Sequence, residues 1–299
     1  MKYTRSVIAQ NQSVAANSTT TWDLPVNALS HLIITIRGIN AAAVEATLAD
    51  ILGRLAKIEV LYKGSSVASI SGADLHKLDA IMFGKMPILA NQVATASASR
   101  YLSLILPFSR VLLNPNEGFP ASARGELKLQ ITLSASEAAI STITLQIEAI
   151  EMPEAKPKQY LKATTLSLIP TSGVDNDIAL PIGNKYAGLM LFSTTIPTGT
   201  SFVATISKAK LLLNGLEQYF SSTNWESLHG DLFNRIGHVE VYDASADDDD
   251  LKNYALMDFT PNNADDFLLD SKGASSLVLK ITAGDANALR VIPLELSVA

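Results

Sequence analysis

An all-β chain of two tandem eight-stranded jelly rolls, each a β-sandwich with one short helix inserted, is predicted by three features of the sequence. Short apolar or alternating runs of about five to nine residues recur along the chain, separated by turn residues. Their order in the second half repeats that of the first, displaced by roughly 150 residues, about one domain length. One helical pattern stands at the same place in each half, and about eight strands per half is the count of two antiparallel sheets packed face to face.

In the first half, strands are expected near 4–9, 18–23, 30–37, 56–62, 66–70, 101–106, 126–133 and 142–150. The step Leu24-Pro25 precedes the apolar run Leu32-Ile33-Ile34-Thr35-Ile36, and Lys57-Ile58-Glu59-Val60-Leu61-Tyr62 ends in a turn at Lys63-Gly64. Residues 40–52, Ala-rich with Val44, Leu48 and Leu52, read as a short helix or a loop insertion. From Gly72 to Phe83, residues Leu75, Leu78, Ile81 and Met82 have the spacing of one buried helix face, and Gly84 stops the pattern.

The second half places strands near 160–168, 177–182, 186–193, 202–213, 216–220, 238–242, 254–259, 275–282 and 288–297. Leu180-Pro181 again precedes an apolar strand, Ala187 to Phe192, and Lys208 to Leu213 again ends in a turn, Asn214-Gly215. Asn224 is placed to cap a helix from Trp225 to Phe233 with Leu228, Leu232 and Phe233 on its apolar stripe. That helix carries Leu228-His229 where the first carries Leu75-His76. Tyr101 to Ile105, Leu127 to Thr132 and Leu145 to Glu148 find partners in Tyr254 to Asp258, Leu277 to Thr282 and Ile292 to Glu295. Any two strands share a period of two, so the ordered recurrence, rather than any single match, argues for duplication. Between the halves, Glu151-Met152-Pro153-Glu154-Ala155-Lys156-Pro157-Lys158 packs two prolines and four charges into eight residues, a stiff solvated connector. The expected organisation is an N-terminal jelly roll over 1–152, a linker over 153–158 and a C-terminal jelly roll over 159–299.

Charged residues make up 17% of the chain, below the roughly 25% usual in soluble proteins, and the mean hydropathy is +0.21. No stretch approaches the ~20 consecutive apolar residues of a membrane helix, so the apolar excess lies in a large core or against neighbouring subunits. The net charge of −6 and the lack of a Lys/Arg cluster exclude nucleic-acid binding by the chain as a whole. With no cysteine there is neither a disulfide framework nor a thiolate metal site. The N-terminal Met1-Lys2-Tyr3-Thr4-Arg5 lacks the apolar run of a secretory signal.

The four histidines, His31, His76, His229 and His238, show no H-x-x-x-H spacing. His76 and His229 hold equivalent repeat positions, which reads as helix packing rather than ligation. Asp247-Asp248-Asp249-Asp250, with Asp243 upstream, reads as a solvated loop kept extended by repulsion; it lacks the spaced acids, central Gly and terminal Glu of an EF-hand loop. No G-x-S-x-G elbow, Walker loop or G-x-G-x-x-G is present. Catalytic, cofactor-binding and metal residues are therefore expected to be none, and no enzymatic activity or cofactor is expected.

Two successive jelly rolls, each with a helix after a strand-Gly-strand unit, resemble the double jelly-roll major capsid proteins of tailless icosahedral viruses. The nearest pattern is that of bacteriophages with an internal membrane, of corticovirus, finnlakevirus or tectivirus type. Ile58 to Val67 followed by Asp74 to Leu78, and the unit from Leu211 to Ile236, carry the resemblance, which covers nearly the whole chain. It implies a homotrimer in which six barrels form a pseudo-hexagonal tile, assembled into an icosahedral shell. The implied partners are neighbouring capsomers, minor capsid and vertex proteins and an internal lipid membrane, with no specific nucleic acid. The implied location is the virion, after synthesis in the host cytoplasm. Low charge then becomes an interface property, since close subunit contacts tolerate few desolvated charges. A tandem jelly-roll carbohydrate-binding or adhesion protein is the alternative. Against it, aromatics are only 6% of the chain, and Trp22 and Trp225 both fall in segments read as buried or capping.

Overall fold

The computed structural model describes residues 2–43, 45–91, 93–136, 138–198, 200–236, 251–261 and 264–299. Its contacts group the chain into two compact units, Met1–Ala163 with Val298–Ala299, and Thr164–Ser297.

The first unit contains β1 (Thr4–Ser13), β2 (Thr19–Asp23), β3 (Leu29–Asn40), α1 (Leu48–Arg54), β4 (Leu55–Tyr62), β5 (Ser65–Ile70), α2 (Gly72–Phe83), β6 (Ser99–Pro107), β7 (Leu127–Leu133), β8 (Ile140–Glu151) and β9 (Gln159–Thr164). One sheet has the order β1-β8-β3-β6; the other runs β2-β7-β4-β5, with β9 beside β5. Except for the β4-β5 hairpin, the neighbours are distant in sequence and every pair in these two four-stranded sets is antiparallel, the topology of a jelly roll. Alternation decides which side chains meet. Ile34, Ile36, Leu102, Leu104, Leu145 and Ile147 from one sheet, and Ile58, Val60, Leu129 and Ile131 from the other, are fully buried. The residues between them, Thr35, Arg37, Tyr101 and Ser103, point outward.

The Ala-rich insertion resolves as α1, opened by a capping box: Thr47 Oγ1 accepts from Asp50 N at 3.1 Å and Asp50 Oδ2 from Thr47 N at 2.8 Å. Helix α2 spans the expected residues, capped by Ser71 and closed by Gly84 at φ 67°, where an L side chain would be strained. The expectation of a single buried face fails there. Every residue from Asp74 to Ile81 is buried, whereas Met82 is only half-buried, because α1 packs across α2 while β4 and β6 lie beneath it.

The second unit contains β10 (Leu166–Leu168), β11 (Asp175–Ala179), β12 (Lys185–Ser193), β13 (Ile206–Leu213), β14 (Leu216–Glu217), β15 (Thr223–Asn224), α3 (Trp225–Ile236), β16 (Tyr254–Asp258), β17 (Leu269–Asp270), β18 (Leu277–Ala283) and β19 (Leu289–Val298). Its sheets repeat the first unit's pattern: β16-β12-β19 with β10 on β19, and β11-β18-β13-β14. Leu189, Leu191, Met257 and Val291 face Ile206, Leu211, Leu279 and Ile281 in the core.

Several boundaries move. The strand expected over 160–168 is broken at Thr165 into β9 and β10, and the one over 202–213 begins only at Ile206. Phe202 and Val203 look like strand residues in the sequence but are exposed, in a loop whose tip is closed by the Thr198 and Ser201 backbones. The strand over 216–220 shrinks to β14 because Phe220 N turns back onto Gln218 O. Helix α3 runs three residues beyond Phe233. The strand expected at 238–242 lies outside the described residues.

Candidate functional site

Each described histidine is held by its own neighbours. Ser30 Oγ accepts from Leu113 N at 2.8 Å and shares a hydrogen bond of 2.9 Å with His31 Nδ1. Burial, with the Arg5 charge as a second cause, lowers the His31 pKa to about 4. His76 donates through Nε2 to Pro87 O at 2.9 Å and accepts at Nδ1 from Lys77 Nζ at 2.9 Å. His229 donates through Nδ1 to Tyr254 O at 2.7 Å, stacks on Trp225 and meets the edge of Phe233. His238, Asp243 and Asp247 to Asp250 lie outside the described residues.

The two long helices also manage sheet edges, which otherwise present free backbone groups to other chains. Strand β6 ends its sheet, and Asp79 Oδ2 of α2 accepts the Ile105 N–H at 2.7 Å while Ala90 N donates to Tyr101 O. Strand β16 ends the corresponding sheet, and there His229 of α3 holds the Tyr254 carbonyl. Asp79 is 2% exposed and its Oδ1 has no hydrogen-bond partner. Burial raises its pKa well above the usual carboxylate range, with the Ile105 N–H pulling the other way. Asp79 escaped attention in the sequence. The available signal was its place four residues after Leu75, an inward position that holds Leu232 in the second repeat.

Beside α3 lies an open cleft of about 420 Å³, lined by Phe220, Asp231, Arg235, Leu256, Asp258 and Thr260 among others. Arg235 is tied to Asp258 at 2.5 Å and to Thr260 Oγ1 at 3.2 Å, so its charge is already used. Among the described residues no group of three or more His, Asp or Glu is placed to hold a metal ion. Large apolar side chains do reach solvent: Phe202 is 83% exposed, Ile88 81% and Leu216 68%.

The fold class is thus a double jelly roll with a helix on the edge strand of each repeat. No protein-family profile matches the chain, and no curated protein sequence does. Solved structures match along its length. The major capsid protein (MCP) of STIV, the Sulfolobus turreted icosahedral virus, aligns with a TM-score of 0.72 and 14% identity, covering 100% of this chain and 97% of that one. The major capsid protein P2 of bacteriophage PM2 aligns at 0.66 and 14% identity over 99% and 98% of the two chains. PBCV-1 VP54 gives 0.66 and 13% identity over 99% and 94%. The chain has the double jelly-roll fold of these capsid proteins.

Proposed function

We propose that the chain is a structural virion protein, a major capsid protein that self-assembles as trimers into an icosahedral shell and catalyses no reaction. The observation that carries this reading is the match along both chains: the tandem repeat accounts for nearly all of this chain and nearly all of the capsid proteins it resembles. Duplication has a geometric use in such a shell. Three copies of two similar barrels present six similar edges, so the trimer packs as a pseudo-hexagonal tile. In this reading the repeats are 1–152 and 159–299, joined by 153–158. The low charge and the exposed Phe202, Ile88 and Leu216 suit a surface covered by neighbours. Minor capsid proteins, vertex proteins and an internal membrane complete the proposed partners; the protein is made in the host cytoplasm and resides in the virion.

Electron microscopy of the purified protein at rising concentration tests the proposal. Pseudo-hexagonal particles and their ordered sheets are expected. Saturable binding on a glycan array by a protein that stays dispersed would replace this reading with the carbohydrate-binding one.

A further inference from the structure

The turns that close two equivalent hairpins share a backbone and differ in side chain. Lys63-Gly64 joins β4 to β5 with φ of 50° and 83°, and Asn214-Gly215 joins β13 to β14 with φ of 52° and 81°. Positive φ at both central residues is the two-residue turn that matches strand twist. In the first unit Lys63 N donates to Glu126 O at 2.9 Å and its ammonium pairs with the Glu126 carboxylate at 3.4 Å. In the second, Asn214 N donates to Ser276 O at 3.0 Å, and a single side-chain atom supplies the rest. Asn214 Oδ1 accepts from Ser275 N at 2.8 Å, from Ser275 Oγ at 2.9 Å and from Ser276 N at 3.3 Å.

Both turn residues are exposed, and the chain contains no other Asn-Gly step. Glycine has no Cβ to shield its nitrogen, so in a free chain that nitrogen can attack the side-chain amide of the preceding Asn. We propose that Asn214 is a self-modification site, deamidating through a cyclic imide with Gly215, and that the clasp to Ser275 and Ser276 withholds it from reaction while the hairpin is folded.

The chemistry needs only water and hydroxide. The Gly215 nitrogen gives up its proton and bonds to Asn214 Cγ; the Cγ–Nδ2 bond breaks and ammonia leaves. Water then opens the five-membered imide at either carbonyl, giving an aspartyl or an isoaspartyl residue at position 214. Two features of the folded hairpin oppose the first step. Three donors pin Oδ1, which fixes the side chain about its Cα–Cβ bond and keeps Cγ from swinging onto the Gly215 nitrogen. Ring closure also displaces a backbone held by the Leu213–Leu216 and Leu213–Leu277 pairings. Reaction therefore passes through the opened corner, whose population sets the rate. The two products differ in consequence. An aspartyl carboxylate still accepts from Ser275 and Ser276. The isoaspartyl form adds a backbone atom to a two-residue turn and so disturbs the register of β13 and β14. With Lys63 at the equivalent place, the first unit has no such liability.

The test incubates wild type and Ser275→Ala at mildly alkaline pH, natively and in concentrated urea. Mass spectrometry follows the peptide spanning position 214, and circular dichroism checks folding. Wild type is expected to convert at least about tenfold faster in urea than natively. Ser275→Ala, which lacks one of the three donors, is expected to convert roughly 2–10-fold faster than wild type when native and no faster in urea. Native wild type that converts as fast as the denatured chain overturns the inference, and that comparison needs no variant to fold. A folded Ser275→Ala that converts at the wild-type rate overturns the role of the clasp. Neither result bears on the capsid reading.

Discussion

His31 makes the protein sensitive to acid in a calculable way. Its ring stays neutral in the folded chain until about pH 4, whereas the unfolded chain titrates near 6.5. Above 6.5 both states are neutral and His31 contributes no pH dependence. As pH falls from 6.5 towards 4, the unfolded chain takes up a proton that the folded chain refuses, so stability is lost. At about 1.4 kcal/mol per pH unit, the gap between those pKa values amounts to about 3 kcal/mol. For a unit of this size that corresponds to a drop of roughly 6–12 °C in Tm. The measurement is the Tm of wild type and His31→Gln between about pH 7.5 and pH 4. Glutamine offers Ser30 both a donor and an acceptor but does not titrate, and every other group cancels in the comparison. Wild type is expected to be the more stable at neutral pH and to lose that advantage by pH 4. A Tm difference that stays constant across the range would refute the reasoning.

Asp79 has the opposite sign. Its folded-state pKa is raised, so the unfolded chain ionises first and stability falls as pH rises above the usual carboxylate range; Asp79→Asn, which still accepts from Ile105 N, is expected to gain on wild type from about pH 4 upward, by as much as about 1.4 kcal/mol per pH unit. Equal pH slopes in urea titrations of the two proteins would contradict this. Gly188→Ala would bring a Cβ to 2.9 Å from the Met257 carbonyl between β12 and β16. A strand backbone yields less readily than a side chain, so a loss of about 1–3 kcal/mol is expected by the same titration.

Much of the fold was legible because a repeated order of short strands is a strong pattern even when each strand is a weak one. Leu24-Pro25 and Leu180-Pro181, the turns at Gly64 and Gly215, and the paired Leu-His steps located equivalent elements without any structure. Periodicity did not show what covers an element. The stripe Leu75, Leu78, Ile81 and Met82 described α2 as amphipathic, whereas α1, itself read ambiguously from the sequence, packs against the helix and Pro87 of the following segment meets His76, so that Asp74, His76 and Lys77 are buried too. Phe202 and Val203 failed in the other direction, as apolar residues that extend into solvent rather than into a strand. Asp79 and the Ser30–His31 pair were invisible for a third reason. Their properties come from burial and from partners at Ile105 and Leu113, many residues away in sequence.

The solution mass of the purified wild-type protein, measured by light scattering across a wide concentration series, tests the assembly claim most directly. A mass near three times 31.9 kDa at the low end of the series, with none of the signal at 31.9 kDa, rising further as trimers join into larger arrays, is the predicted result. A mass of 31.9 kDa throughout the series would contradict it.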